Sequence, residues 1–360
     1  MKIRKAVLTG GGRGTRLHPI TLTVNKHLVP LANKPMIFHA IEKAVEAGIE
    51  EIFINTNPGE TELQKYIGDG GHWDVKIKFY EQTGGPQGVA HVAAEAHKFI
   101  GDDPFMFYFS DNILLGSLKD MVDDFSENQR DCMLALSKVP DPERFGVPKF
   151  ENGKIIDVLE KPSVPPSDFA VVGIYIYGPK VFFKAYDNIE KSERGEYEIS
   201  SVNSYLIKNG YNVGHKEITG WWKDTGKPDD LLAANRLILE KMSYDNFRVS
   251  GQHSLFNSKK IHIGVGTVIG ESVNLIEPVI IGENCKLNNC TIGPNTTIGT
   301  GTEINGAKIS NSIILQNTKI DTQMYICDSL IGQNVTIERK KQDEAEGRTM
   351  MIGDKTRIEI

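Results

Sequence analysis

The residues best placed to do chemistry are the run Gly10-Gly11-Gly12-Arg13-Gly14-Thr15-Arg16-Leu17, directly after an apolar stretch at 6–8. Glycine has no Cβ, so backbone N–H groups in such a loop can close on a phosphate chain, and Arg13 and Arg16 add positive charge. The run is neither G-x-G-x-x-G nor the G-K-[ST] of a P-loop, so by itself it fits a structural turn as well as a phosphate cradle. A second candidate is Asp111, which follows the apolar run Pro-Phe-Met-Phe-Tyr-Phe-Ser at 104–110. Other chemistries lack their residues. The four cysteines, Cys132, Cys285, Cys290 and Cys327, form no C-x-x-C pair, and the nine histidines show no H-x-x-x-H spacing. The cysteines are expected to be buried free thiols.

The elements that must position these residues alternate between strand and helix. Residues 6–9 and 51–55 (EIFIN) read as strands, and so does 104–110. Residues 35–48 have helical periodicity, with proline near the start and glycine at the end. The alanine-rich stretch 88–100 and the segment 229–242 also read as helices. This order predicts an α/β domain with a Rossmann-like, mostly parallel sheet covered on both faces. Ligands of such sheets bind beyond the carboxyl ends of the strands, where both the glycine run and Asp111 fall.

Length and composition bound the rest. The 360 residues suggest two domains at ~100–200 residues each. With 39% hydrophobic and 24% charged residues the chain can bury a core, which excludes a wholly disordered protein. Acidic residues outnumber basic ones, 47 to 41, for a net charge of −6. That balance argues against nucleic acid as a partner but leaves room for a small anion in a local basic pocket. The N-terminus lacks the apolar core of a signal peptide, and no apolar run approaches the ~18 residues of a membrane span. A soluble, cytoplasmic protein is expected, with no membrane partner.

From about 250 the pattern changes. Large apolar residues recur every six positions at Ile263, Ile269, Leu275, Ile281 and Leu287, then at Ile292, Ile298 and Ile304. Five-residue steps lead to Ile309, Ile320 and Ile331, each with a partner six further on: Leu315, Ile326 and Ile337. Six fits neither the helical nor the strand period. It fits a parallel β-helix, in which each hexad is one flat side with its corner. A charged run at 339–348 interrupts the repeat, and a last hexad spans 352–358. The predicted division is therefore a catalytic domain at 1–245 and a β-helix at 251–360.

The glycine run has a sequel: Pro19, Thr21, Lys26, Val29-Pro30 and Lys34-Pro35-Met36. Further along come Gly88-Val89-Ala90-His91, Ser110-Asp111-Asn112, Asp141-Pro142-Glu143-Arg144-Phe145-Gly146-Val147, Glu160-Lys161-Pro162 and Trp222-Lys223-Asp224-Thr225-Gly226. In this order the motifs resemble those of the sugar-1-phosphate nucleotidylyltransferases. The D-P-E-R-F-G-V form and the appended hexads look most like glucose-1-phosphate thymidylyltransferases of the long variety, which carry a C-terminal left-handed β-helix. Thr9 and Gly10 stand where that family has Leu and Ala.

The resemblance implies transfer of a nucleotidyl group from dTTP to glucose 1-phosphate, with release of pyrophosphate. It implies Mg2+ held by Asp111 and Asp224, and nucleotide contacts from Gly11, Gly12, Gly14, Thr15 and Gly88. The interval from Gln82 to Gly88 is one residue longer than is usual, so Gln82 and Gln87 both stand as candidates for the base. Arg16 and Lys26 would neutralise pyrophosphate, and Lys161 would orient the sugar phosphate. Asn112, Gly146, Glu160 and Val171 would contact the sugar. No enzyme nucleophile is needed, because positioning and charge neutralisation suffice. Alternatives remain open: UTP in place of dTTP, another sugar phosphate, and a catalytically silent sensor or scaffold. A further one is a bifunctional enzyme with an acetyltransferase in the coil, for which only His253 and His262 lie near. The coil's flat sides also suit self-association, so a homo-oligomer is expected.

Overall fold

The computed structural model describes residues 2–12, 14–85, 87–218, 220–242, 260–339 and 356–357. The chain divides into two units, Met1–Gly12 with Met36–Asp224, and Arg13–Pro35 with Thr225–Ile360.

In the first unit the strands Lys5–Leu8, Glu51–Thr56, Lys76–Glu81 and Phe105–Tyr108 pair in parallel. Their apolar character is nearly continuous because both faces are covered: Ala6, Val7, Leu8, Ile52 and Ile54 are fully buried. Among the described residues the sheet has nine strands, and its other half is largely antiparallel. Phe169–Tyr177 runs against both Phe105–Tyr108 and Cys132–Lys138. Gly146–Glu151 and Lys154–Glu160 form a hairpin through Asn152-Gly153, both at positive φ, the backbone that a tight two-residue turn demands.

The helix Met36–Glu46 starts just after Pro35 and buries Met36, Ile37, Ala40, Ile41 and Ala44, one stripe at helical spacing. The helix expected over 88–100 is two, Val89–Glu95 and His97–Ile100. At the break Ala96 N–H takes the carbonyl of Ala93, three residues back, so the α-helical ladder is interrupted.

The second unit holds the β-helix. Three parallel sheets stack side over side. Ile263, Ile281, Ile298, Ile314 and Ile331 follow one another up one side, and Ile269, Leu287, Ile304, Ile320 and Ile337 up the next. Leu275, Ile292, Ile309 and Ile326 fill the third. Each buried Ile or Leu contributes about 1.5–3 kcal/mol. Asn284, Asn289, Asn295, Asn311, Asn317 and Asn334 occupy left-handed backbone in this region, which asparagine tolerates. One inward position differs from expectation. Ile314, not Leu315, stacks between Ile298 and Ile331, and Leu315 lies beyond its two-residue strand. Cys132, Cys285 and Cys290 are buried, but Cys327 is exposed. It follows inward-facing Ile326 on a strand, and alternation turns it outward.

The helix Pro228–Lys241 opens with proline and two aspartates, which suit a helix N-terminus. The segment 14–35 belongs to this unit too. The packing boundary and the compositional boundary near 250 therefore differ. Most of the expected hexad at 352–358, most of the charged run at 339–348, and His253 lie outside the described residues. No helix among the described residues is long and apolar enough to cross a membrane.

Candidate active site

In the first unit the glycine run leaves the Lys5–Leu8 strand and is held from the next strand over. Asn55 Oδ1 accepts from Gly10 N–H at 2.9 Å, and Asn57 Oδ1 accepts from Gly12 N–H at 3.2 Å. The loop is thus shaped by two asparagine side chains that sequence inspection did not single out. Thr9 ties it to the acidic turn: its N–H donates to Tyr108 O at 3.2 Å, and its Oγ1 accepts from Ser110 N–H at 2.9 Å. The threonine that departs from the family pattern therefore links the two candidate ligand loops.

Asp111 precedes the strand Asn112–Leu114, which pairs antiparallel with Trp222–Asp224. Asp224 lies directly opposite Asn112, so the two carboxylates predicted to share a metal are brought to adjacent positions of one two-stranded sheet. Asn112 holds the corner. Its Nδ2 donates to Asp111 Oδ1 at 2.9 Å, its Oδ1 accepts from Trp222 Nε1 at 2.8 Å, and its carbonyl accepts from the Tyr108 phenol at 3.0 Å. Burial, with the Asp111 charge adding, pushes the Tyr108 phenol above its ordinary range and keeps it a donor. The donors are hard oxygens, the type that suits Mg2+ completed by phosphate and water.

Gln82 and Gln87 flank a turn whose two ends are tied down. Glu95 Oε1 accepts from Thr83 N–H at 2.9 Å and from its hydroxyl. The amide end of Gln87 lies 3.3 Å from His91 Nε2, and His91 Nδ1 lies 2.7 Å from the Tyr186 hydroxyl. Burial, then Tyr197 and Glu95, push the Tyr186 phenol up to about 12, so it stays protonated. Gln82 Nε2 turns inward to Gly85 O at 3.4 Å. Gly88 is required by close approach: a Cβ there would sit 2.6 Å from Tyr197 O. The Tyr197 backbone bonds to both sides of it, to Gln87 O and to Ala90 N.

Three of the four sugar candidates form one line across the nine-stranded sheet, whereas Asn112 lies on the two-stranded sheet with Trp222–Asp224. Gly146 is paired with Glu160 on one side and with Val171 on the other. Lys161 follows at φ 44 and its N–H donates to Phe145 O at 2.9 Å. Its Nζ lies 3.2 Å from Glu160 Oε1. Arg194, not anticipated, reaches Glu160 at 3.8 Å and also pairs with Glu196 and with buried Glu198.

Gly14, Thr15, Arg16 and Lys26 belong to the second unit. Gly14 is left-handed and starts the turn Thr15–Leu17, and Thr21 Oγ1 donates to Gly14 O at 2.7 Å. Arg16 is exposed and Lys26 is buried, 8% exposed, in the turn Lys26–Leu28. Gly226 makes room for the guanidinium: a Cβ there would lie 2.9 Å from both Nη atoms of Arg16.

Comparison with known proteins places the chain in a family. The profile of the Nucleotidyl transferase family matches residues 5–241, and that of the GMPPB C-terminal domain matches residues 275–359. The chain is 37% identical to the low-salt glycan biosynthesis nucleotidyltransferase Agl11 of Haloferax volcanii, over 99% of this chain and all of the relative. It is 35% identical to a glucose-1-phosphate thymidylyltransferase of Streptomyces antibioticus over 99% of both chains. A solved putative glucose-1-phosphate thymidylyltransferase from Bacillus anthracis superposes with a TM-score of 0.61 at 36% identity, covering 65% of this chain and 94% of that one.

Proposed function

The chain belongs to the nucleotidyl transferase family, and from that premise we propose that it transfers a thymidylyl group from dTTP to glucose 1-phosphate. An oxygen of the sugar phosphate attacks the α-phosphorus; that P–O bond forms as the bond to the β-phosphate oxygen breaks, and pyrophosphate leaves. The observation that carries this function is the register that sets Asp224 opposite Asn112, beside Asp111.

Asp111 and Asp224 would hold Mg2+, which when bound offsets phosphate charge. Arg16 and Lys26 neutralise the charge that grows on the leaving pyrophosphate. The N–H groups of the loop Gly11, Gly12, Gly14 and Thr15 line the phosphates. Gly88 lets the backbone approach the nucleoside, and a glutamine, Gln82 or Gln87, meets the base. Lys161 orients the sugar phosphate, Glu160 and Asn112 take sugar hydroxyls, and Gly146 and Val171 contribute backbone groups. In this scheme nucleotidyl transfer resides in residues 1–245, and 251–360 contributes to a homo-oligomer.

A second substrate pair within the same chemistry is favoured by the full-length similarity to the Haloferax glycan-biosynthesis nucleotidyltransferase. Thymine differs from uracil by one methyl, and a pocket discriminates such a group by only about 1–3 kcal/mol. The test is pyrophosphate release from a panel of four nucleoside triphosphates against four sugar 1-phosphates. The highest kcat/KM is expected for dTTP with glucose 1-phosphate; a higher value for another pair would reassign the substrates.

A further inference from the structure

Residues 14–35 carry two of the cations assigned to the phosphates, yet they have almost no regular structure of their own. They form single turns at Thr15–Leu17, Ile20–Leu22 and Lys26–Leu28, then a two-residue hairpin, Pro30–Leu31 with Lys34–Pro35. Isolated turns of this kind do not hold a backbone in place, because ordering each residue costs about 1–2 kcal/mol. The order must come from what the segment packs on.

That support is the β-helix. Asn33 Nδ2 donates to Ile298 O at 2.7 Å. The same carbonyl accepts the ladder bond from Gly282 N–H at 2.7 Å, so both of its lone pairs are engaged, one by the coil and one by the segment. A second contact lies two coils further along the same side. At Gly332 a Cβ would approach Ile20 Cδ1 to 3.2 Å, so the absence of a side chain there leaves the seat that Ile20 occupies. The helix Pro228–Lys241 adds a third anchor, buried Asn235, whose Oδ1 accepts from Ala32 N–H at 2.8 Å. Ile20 falls between Arg16 and Lys26, and Asn33 falls after Lys26, so the coil contacts bracket the buried lysine and follow the arginine.

We propose that the C-terminal β-helix is a positioning element for the phosphate-binding segment, acting through Asn33–Ile298 and Ile20–Gly332 to fix Arg16 and Lys26. The coil contributes no group to the reaction. It sets where the cations stand, and its displacement is transmitted to them. The catalytic consequence rests on the function proposed above; the mechanical coupling does not.

The test uses the full chain and two substitutions. Asn33→Gly keeps the left-handed backbone at φ 59 and removes only the side-chain bond. Ile20→Val removes the Cδ1 atom that meets Gly332 and is too mild to unfold the protein. Hydrogen exchange is followed at the amides of Leu17, Leu22, Leu28 and Val29, which bond within the segment, and at coil amides as reference. Each substitution should speed exchange in the segment by about three- to tenfold while coil amides stay protected. In the same samples kcat/KM for the triphosphate should fall by a similar factor, with the KM for the sugar phosphate unchanged. Unchanged exchange at 14–35 in both variants would overturn the proposal. Faster exchange in the variants, combined with a wild-type protein that releases no pyrophosphate from any pair, would instead leave the coupling standing and refute the assigned function.

Discussion

Replacing Gly226 by alanine tests the role of Arg16 without touching it. The added methyl would lie 2.9 Å from each Nη of Arg16 and 3.0 Å from its Cζ, well inside van der Waals contact. Gly226 is not among the glycines at positive φ, so the backbone accepts alanine without strain. What yields is the free end of a long, exposed side chain, and the guanidinium moves while the fold stays. A displacement near 1 Å at a charge-positioning group costs up to about 100-fold, and loss of one charge-assisted hydrogen bond about 1.5–3 kcal/mol. The expected result is a drop of about 10–100-fold in kcat/KM for the triphosphate. Stability should move the other way, by about 0.4–1 kcal/mol upward, because alanine restricts the unfolded chain. Pyrophosphate-release kinetics and a thermal melt on one preparation read both signs. Arg16→Ala sets the floor, which Gly226→Ala should approach without passing. Unchanged kcat/KM would refute the placement of Arg16 on the phosphates. A joint loss of activity and stability would show that the methyl disturbs the fold instead.

Three other perturbations separate the parts of the site. Asp111→Asn should lower turnover by at least about 100-fold, and EDTA should abolish activity of the unaltered protein; full turnover in EDTA would exclude a metal at this carboxylate pair. Lys161→Ala should raise the KM for glucose 1-phosphate or lower kcat while leaving dTTP affinity by calorimetry nearly unchanged, and a defect confined to dTTP binding would move Lys161 to the nucleotide. Glu95→Ala releases Thr83 from the helix that follows the turn proposed to meet the base; the loss of its charged hydrogen bonds should raise the KM for dTTP about 10–100-fold with the sugar-phosphate KM unaffected, and equal effects on both substrates would place that turn elsewhere.

The architecture was legible where one residue type repeats at one period. The hexads predicted the inward residues of the β-helix, and only Leu315 was misplaced, because a coil can shorten at a corner and carry Ile314 inward instead. The helix at 36–46 and the strands at 5–8, 51–56 and 105–108 followed from apolar runs with proline or glycine at their ends. The antiparallel half of the sheet was not foreseen. Its strands alternate less cleanly, and their pairing depends on which distant strand each one meets, which no local pattern encodes.

The site was legible as a set of motifs but not as a set of contacts. Gly146, Glu160 and Val171 were separate candidates, and only the sheet register aligns them. Asn55, Asn57, Glu95 and Arg194 escaped notice because an asparagine after a strand, or a charge on a helix or loop, is ordinary until its partner is known. The same holds for the division of the chain. Nothing in the spacing of residues 13–35 connects Asn33 to Ile298 or Ile20 to Gly332, and a glycine in a hexad reads as a corner whatever rests on it. Composition therefore divides the chain near 250, whereas contacts place the cation-bearing segment with the coil. A chain ended at 245 would keep Asp111, Asp224 and the first glycines, but Asn33 would lose its acceptor and Ile20 its seat. The division near 250 is thus a division of the sequence, and the packing of residues 14–35 crosses it.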